Sequence, residues 1–325
     1  MDQYLSRIAA RYECFAREEA QDKSPLYEKL AMGVAADQEL LQFLATLPFA
    51  KQQPNLLFAA FRYLHAVPTD YQEFRNKALD DAENLHSTIM THATQTNEPN
   101  RCAVLLPILA QLPQPLAIIE VGAAAGLCLL PDFYAYDYGE GVLMPAPAFK
   151  APPLLKCTLS SDVPRPERMP EIVWRCGLDL NPIDLSDPDE SRWLETLIWP
   201  GQEHRLFNLR AAIKIAQATS PRVVRGDLRT DVLSDLCAEA PKDATLVIFH
   251  TAVLAYIADR RERSDFAQRA LSLGRFWISN ESPAVFPDTP VSTYRPGRFL
   301  LSLNGKSVAW TDPHGIAMDW ISAEN

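Results

Sequence analysis

Ile118-Ile119-Glu120-Val121-Gly122-Ala123-Ala124-Ala125-Gly126-Leu127 is the stretch that decides how this chain is read. It opens as an apolar, β-branched run, the pattern of a strand buried on both faces. An acid leads into a turn with two glycines three alanines apart, and Leu127, Cys128, Leu129 and Leu130 then resume an apolar pattern able to start a helix. Strand, glycine turn and helix form a cradle in which glycine lets backbone N–H groups approach a ligand and the helix start adds unpaired donors. The dinucleotide fingerprint G-x-G-x-x-G and the P-loop lysine are both missing.

Working outward, 325 residues suffice for one large α/β domain or two smaller ones, and a hydrophobic content of 47% excludes global disorder. A formal net charge of -10 disfavours an extended nucleic-acid interface, which needs clustered Lys and Arg. No segment is long and apolar enough to span a bilayer, and Asp2, Arg7, Arg11 and Glu13 interrupt any leader-like apolar region. The six cysteines form no C-x-x-C pair and read as buried thiols in a reducing compartment. The expectation is a cytoplasmic protein without a metal cage or a membrane partner.

Residues 1–114 read as a helical domain, with Ser24-Pro25 and Asp37 as helix starts and a nearly all-apolar helix after Pro54. The polar segment Thr94 to Arg101 follows. It is either a solvated loop or, through Asn97, Glu98 and Arg101, a contact surface for a small polar ligand. Residues 115–325 read as alternating strands and helices, interrupted at about 139–171 by a proline-rich insertion with a small hairpin through Leu154 to Leu159. Tyr134, Tyr136 and Tyr138 give an extended piece one aromatic face.

Ile172 to Cys176 is the second strand, and Asp179 lies where nucleotide-binding α/β folds keep a ribose-binding acid, with Asp184 in reserve. Arg222 to Arg225 is the third, ending in Gly226-Asp227. The fourth, Ala244 to His250, carries His250 and Thr251 at its carboxyl edge, with Tyr256 soon after. The fifth, Phe276 to Ser279, ends in Asn280-Glu281. Phe299 to Leu303, Asn304-Gly305 and Val308 to Trp310 make a hairpin, and Ala317 to Ile321 adds a last strand.

Glu120, Gly122, Ala124 and Gly126 resemble the first motif of class I S-adenosylmethionine-dependent methyltransferases, with Ala124 where a middle glycine often stands. The alternating strands and the late hairpin also look like that Rossmann-like fold. Nearly the whole chain further resembles a bacterial family of domains of unknown function. The resemblance runs through Gln53-Pro54-Asn55-Leu56-Leu57, Gln95-Thr96-Asn97-Glu98, Gly177-Leu178-Asp179-Leu180, Trp199-Pro200 and His250-Thr251-Ala252-Val253-Leu254-Ala255-Tyr256.

The methyltransferase resemblance implies S-adenosylmethionine as cofactor and a small molecule as methyl acceptor. It would put the methionine part at Gly122 to Gly126 with Glu120 near its amino group, the ribose at Asp179 and the adenine at Asp227. His250 or Glu281 would be the base, and Asn97, Glu98, Arg101 and Tyr256 would contact the acceptor. The competing reading is a non-catalytic binding or regulatory protein of the same fold. Ala124 and the missing Asn-Pro-Pro-Tyr after the fourth strand favour it. A hydrolase would need a G-x-S-x-G elbow, which the sequence does not have.

Overall fold

The computed structural model describes residues 3–95, 97–146, 149–290 and 294–321. Its α-helices are α1 (Gln3–Cys14), α2 (Pro25–Ala36), α3 (Gln38–Ala45), α4 (Pro54–His65), α5 (Tyr71–Asp80), α6 (Ala82–Thr91), α7 (Cys102–Leu109), α8 (Pro188–Leu197), α9 (Glu203–Thr219), α10 (Val232–Glu239) and α11 (Arg260–Leu273). Its strands are β1 (Leu116–Val121), β2 (Ala135–Asp137), β3 (Val142–Leu143), β4 (Leu154–Lys156), β5 (Thr158–Leu159), β6 (Ile172–Asp179), β7 (Val223–Arg225), β8 (Thr245–Thr251), β9 (Phe276–Glu281), β10 (Phe299–Leu303), β11 (Lys306–Thr311) and β12 (Ala317–Trp320). Contacts divide the chain into two units, Met1–Thr96 with Asp187–Leu206, and Asn97–Ser186 with Phe207–Asn325.

The first unit is helical because its helix starts are capped and its apolar stripes meet. The Ser24 hydroxyl accepts from the Tyr27 N–H, and Asp37 accepts from the Glu39 and Leu40 N–H groups. Leu56 to Phe61 of α4 are all buried. The Phe58 ring lies within 6.2 Å of Tyr12, Phe15, Tyr27 and Phe74. Residues 187–206 join this unit through α8. Buried Trp193 donates from Nε1 to the Ala93 carbonyl at 2.9 Å, and Arg62 Nη1 donates to the Thr196 and Ile198 carbonyls. The sequence boundary at 114 therefore differs from the contact boundary at 96/97. Helix α7, buried along its whole length, belongs with the sheet.

The second unit is a mixed α/β structure around a nine-stranded sheet, ordered β5-β12-β11-β10-β9-β8-β1-β6-β7. β7, β6, β1, β8 and β9 are parallel, while β9, β10, β11 and β12 run as an antiparallel meander. The sheet grows outward from β1 first through β6 and β7 and then through β8 and β9, so its direction of growth reverses between β1 and β8. β10 and β11 form the expected hairpin, with Asn304 at φ 51 and Gly305 at φ 76 in its two-residue turn.

Two local expectations are corrected. The glycine turn leads into two 3-10 turns, Leu127–Leu129 and Pro131–Phe133, rather than a helix. Pro131 has no N–H to continue an α-helix, and the chain enters β2 at once. The Tyr134, Tyr136 and Tyr138 hydroxyls there donate to the carbonyls of Leu127, Pro131 and Ala103. Nor do residues 154–159 fold as a hairpin. β4 pairs with β2 in a separate three-stranded sheet, and β5 pairs with β12 at the edge of the large one.

Side chains alternate between the faces of a strand, and the register fixes which share a face. Ile119, Ile248, Val121, Cys176, Leu178 and Trp277 pack against Leu233 and Leu236 of α10 and Phe266 and Ala270 of α11. The opposite face carries Glu120, Phe249, Thr251, Ile278 and Asn280. Truncation of Phe58 tests the helical core. Phe58→Ala is expected to cost about 3–5 kcal/mol and to speed hydrogen exchange in α1, α2 and α4. Unchanged exchange in those helices would contradict the packing described.

Candidate functional site

The glycine turn uses its own donors. Gly122 and Ala123 donate to the Leu178 carbonyl at 2.7 and 3.3 Å, and Gly126 donates to the Ala123 carbonyl at 2.6 Å. The Ala124 N–H meets Asp179 Oδ2 at 2.8 Å, and the Ala125 N–H meets Asn97 Oδ1 at 2.9 Å. Gly122, Ala124 and Gly126 all have positive φ, at 76, 46 and 70°, which bends the loop back on itself. A Cβ on Gly122 would collide with Val253 Cγ2. The expectation of free N–H groups facing a ligand is thereby corrected, because these N–H groups are taken up within the protein, by Leu178, Asp179, Asn97 and Ala123. Asp179 also accepts from the Asn181 N–H at 2.7 Å, so it organises both its own turn and the glycine turn.

Glu120 is the penultimate residue of β1, on the face opposite α10 and α11. It is 4% exposed, and its Oε2 finds no hydrogen-bond partner among the described residues. Burial pushes its carboxyl well above the usual range, with nearby Cys128 adding and Arg101 opposing. Arg101 is itself buried, donating from Nε to the Pro313 carbonyl at 3.0 Å and from Nη1 to the carbonyl and hydroxyl of Thr251. Glu98 accepts from the Asn100 N–H and lies 3.8 Å from His314 Nδ1. Asn97 Nδ2 is buried and finds no partner among the described residues.

Beside Thr251 in the ladder sits Asn280, fully buried, whose Oδ1 accepts from the Thr311 hydroxyl at 2.7 Å. Its Nδ2 also finds no partner among the described residues. Glu98, Arg101, Glu120, Thr251, Asn280 and Thr311 thus form a buried polar strip across the carboxyl ends of β1, β8 and β9. Thr311 was missed by sequence reasoning, since nothing in a hairpin strand marks one threonine as the partner of an asparagine 31 positions earlier. Asn280 could have been found from its place at the end of the fifth strand.

His250 and Glu281 come together, but on the other face. His250 Nδ1 is 2.7 Å from Glu281 Oε1, and the imidazole lies 5.5 Å from the Phe266 ring and 5.8 Å from Trp277. The two are 0% and 2% exposed. Alternation along β8 and β9 sets both on the side facing α10 and α11, away from Glu120. Asp227 is bound to Arg229, which also reaches Glu262, and that guanidinium holds the Asp227 carboxyl below the usual range. Tyr256 is 77% exposed. The structure gathers Asn97, Glu98, Arg101, Glu120 and Asp179 around the glycine turn, whereas Asp227 is engaged by Arg229, Tyr256 is exposed, and the His250–Glu281 pair lies on the opposite sheet face from Glu120. Among the described residues no group of three or more His, Cys, Asp or Glu could hold a metal ion, and no helix is long and apolar enough to cross a membrane.

Residues 9–320 match the family model DUF2332, described as an uncharacterized protein conserved in bacteria. The chain belongs to that family. No curated protein matches it. A solved structure described as a possible exported protein from Bordetella parapertussis is 11% identical, over 87% of this chain and 73% of its own, with a TM-score of 0.31. A likeness of that degree carries no argument. Neither description names an activity, so the methyltransferase resemblance rests on the residues alone.

A carboxyl whose folded pKa is raised supports the fold fully below the unfolded value near 4.3, and that support is lost as pH rises through the folded pKa. Glu120→Gln keeps the shape of the protonated form. It is expected to raise Tm above wild type at pH 7, and the two proteins are expected to converge near pH 4. A Gln variant less stable than wild type at pH 7 would instead mean that Glu120 is an ion-paired carboxylate.

Proposed function

We propose that the chain binds a small ligand carrying a cationic nitrogen at the carboxyl end of β1. The ligand that this reading favours is S-adenosylmethionine, and the activity is methyl transfer to a small acceptor. The observation that carries the reading is the buried Glu120 carboxyl, whose Oε2 has no partner among the described residues. A buried carboxyl left in that state is costly, and a cation of matching position offsets the cost. The reversal of sheet growth between β1 and β8 supports the reading, since open α/β sheets bind ligands outside the strand carboxyl ends at such a point.

The residues fit the two ends of S-adenosylmethionine unequally. Glu120 suits the amino group of the methionine part. At the adenosine end both Asp179 oxygens already accept N–H groups and Asp227 holds Arg229, so no reaction step is derived through the cofactor. Methyl transfer depends mainly on alignment of the nucleophile and exclusion of water. Asn97, Glu98 and Arg101 border the same turn and are the candidate acceptor contacts.

A second reading, a binding or regulatory protein without transfer, is favoured by one observation. The His250–Glu281 pair is buried on the opposite face from Glu120, so the base expected from the sequence is not beside this strip.

Thermal shift and calorimetry with S-adenosylmethionine, its demethylated product, methionine, ATP and NAD test the proposal. The first two are expected to raise Tm, by the equivalent of about 2.7 kcal/mol at a hundredfold excess over Kd. Glu120→Gln should weaken both at least tenfold. A shift with methionine alone would keep the cationic ligand and remove the adenosyl group. Stabilisation by ATP or NAD alone would overturn the proposal, and binding of the first two without turnover would select the second reading.

A further inference from the structure

Gly122 is where the sequence reading seats a ligand, yet the Val253 side chain fills the space beside it. Val253 lies in the short segment that follows β8, and three observations show how that segment is held. Ala252 adopts φ 56, a left-handed conformation unfavourable for a residue with a Cβ, and its N–H donates to the Asn280 carbonyl at 3.0 Å. Glu281 Oε1 accepts from the N–H groups of Val253 and Leu254 at 2.8 and 3.1 Å, and the same oxygen meets His250 Nδ1 at 2.7 Å. Leu254 is buried, Val253 is partly covered, and Tyr256 is exposed.

One carboxylate oxygen therefore gathers two successive backbone donors and an imidazole, and in doing so holds Val253 against Gly122. We infer that the Ala252–Tyr256 segment is a gate over the glycine turn, latched by Glu281 with His250 as its positioning residue. His250 packs against Phe266 and Trp277 and meets Glu281 Oε1 through Nδ1, so it positions the carboxylate. Release of the two N–H bonds frees the segment, relieves the left-handed Ala252 and withdraws Val253 from Gly122. Gly122, whose N–H stays bonded to the Leu178 carbonyl, then offers an open Cα face where the valine had been. The latch stands on these contacts alone, whereas its service to a ligand rests on the function proposed above.

Residue-resolved hydrogen exchange on the full chain tests the latch without any ligand. In wild type the Val253 and Leu254 amides are expected to exchange at least tenfold faster than Ile248 and Phe249 of β8, through a separate local opening. Glu281→Gln should speed the first two at least tenfold more and leave the β8 pair unchanged. Exchange of all four at one rate in wild type would overturn the gate, whether or not the variant folds. Val253→Ala, which keeps both latch donors, is then compared with wild type for binding of S-adenosylmethionine. A Kd at least tenfold lower supports the gate, and an equal Kd overturns it as a control on binding. Separate opening by exchange, with S-adenosylmethionine bound by neither protein, supports the latch and overturns the ligand reading.

Discussion

A carboxyl group held out of water at the end of the first strand is the constraint on which this structure turns. Glu120 sits in a strand whose six residues are all buried, between β6 and β8, with no strand edge through which to reach solvent. Desolvation favours its protonated form, and only a charge partner or a ligand would reverse that preference. Around it the buried polar residues are tied down one by one, Arg101 to Thr251 and Pro313, and Asn280 to Thr311. The strip is buried and polar, and three side-chain atoms in or beside it, on Glu120, Asn97 and Asn280, keep unused bonding capacity among the described residues. Groups in that condition destabilise a fold.

Much of the fold was legible because its signals are local. β1 and β8 are apolar runs bounded by turn residues, and Ser24 and Asp37 cap helices where their positions before Pro or an apolar run predict. The Asn304-Gly305 hairpin turn is as plain in sequence as in structure. What sequence could not give was pairing at a distance. The return of residues 187–206 to the helical unit depends on Trp193 and Arg62 meeting distant carbonyls, and β5 finds its partner in β12 almost 160 residues later.

The site divides along the same line. Asp179 and Glu120 were found because each follows an apolar strand, and the structure does bring Asp179 to the glycine turn, as a partner for the Ala124 N–H. His250 and Glu281 were also found together, and they do touch, but parity along β8 and β9 turns both away from Glu120. A single residue of alternation separates Thr251, which joins the polar strip, from His250, which enters the apolar layer under α11. The glycine turn shows why a motif is weaker than a geometry. Its glycines are required by positive φ, and its N–H groups are satisfied within the protein.

The protonation of Glu120 is the most direct handle on the central claim, because it reports burial and ligand charge together. A pH titration of its side-chain carboxyl carbon by NMR, with and without S-adenosylmethionine, reads it at one atom. The account predicts titration well above the ordinary carboxylate range in the free protein and a marked fall when the cationic ligand is bound. Titration within or below the ordinary range in the free protein would contradict it, since Glu120 would then already be paired and the site would have no call for a cation.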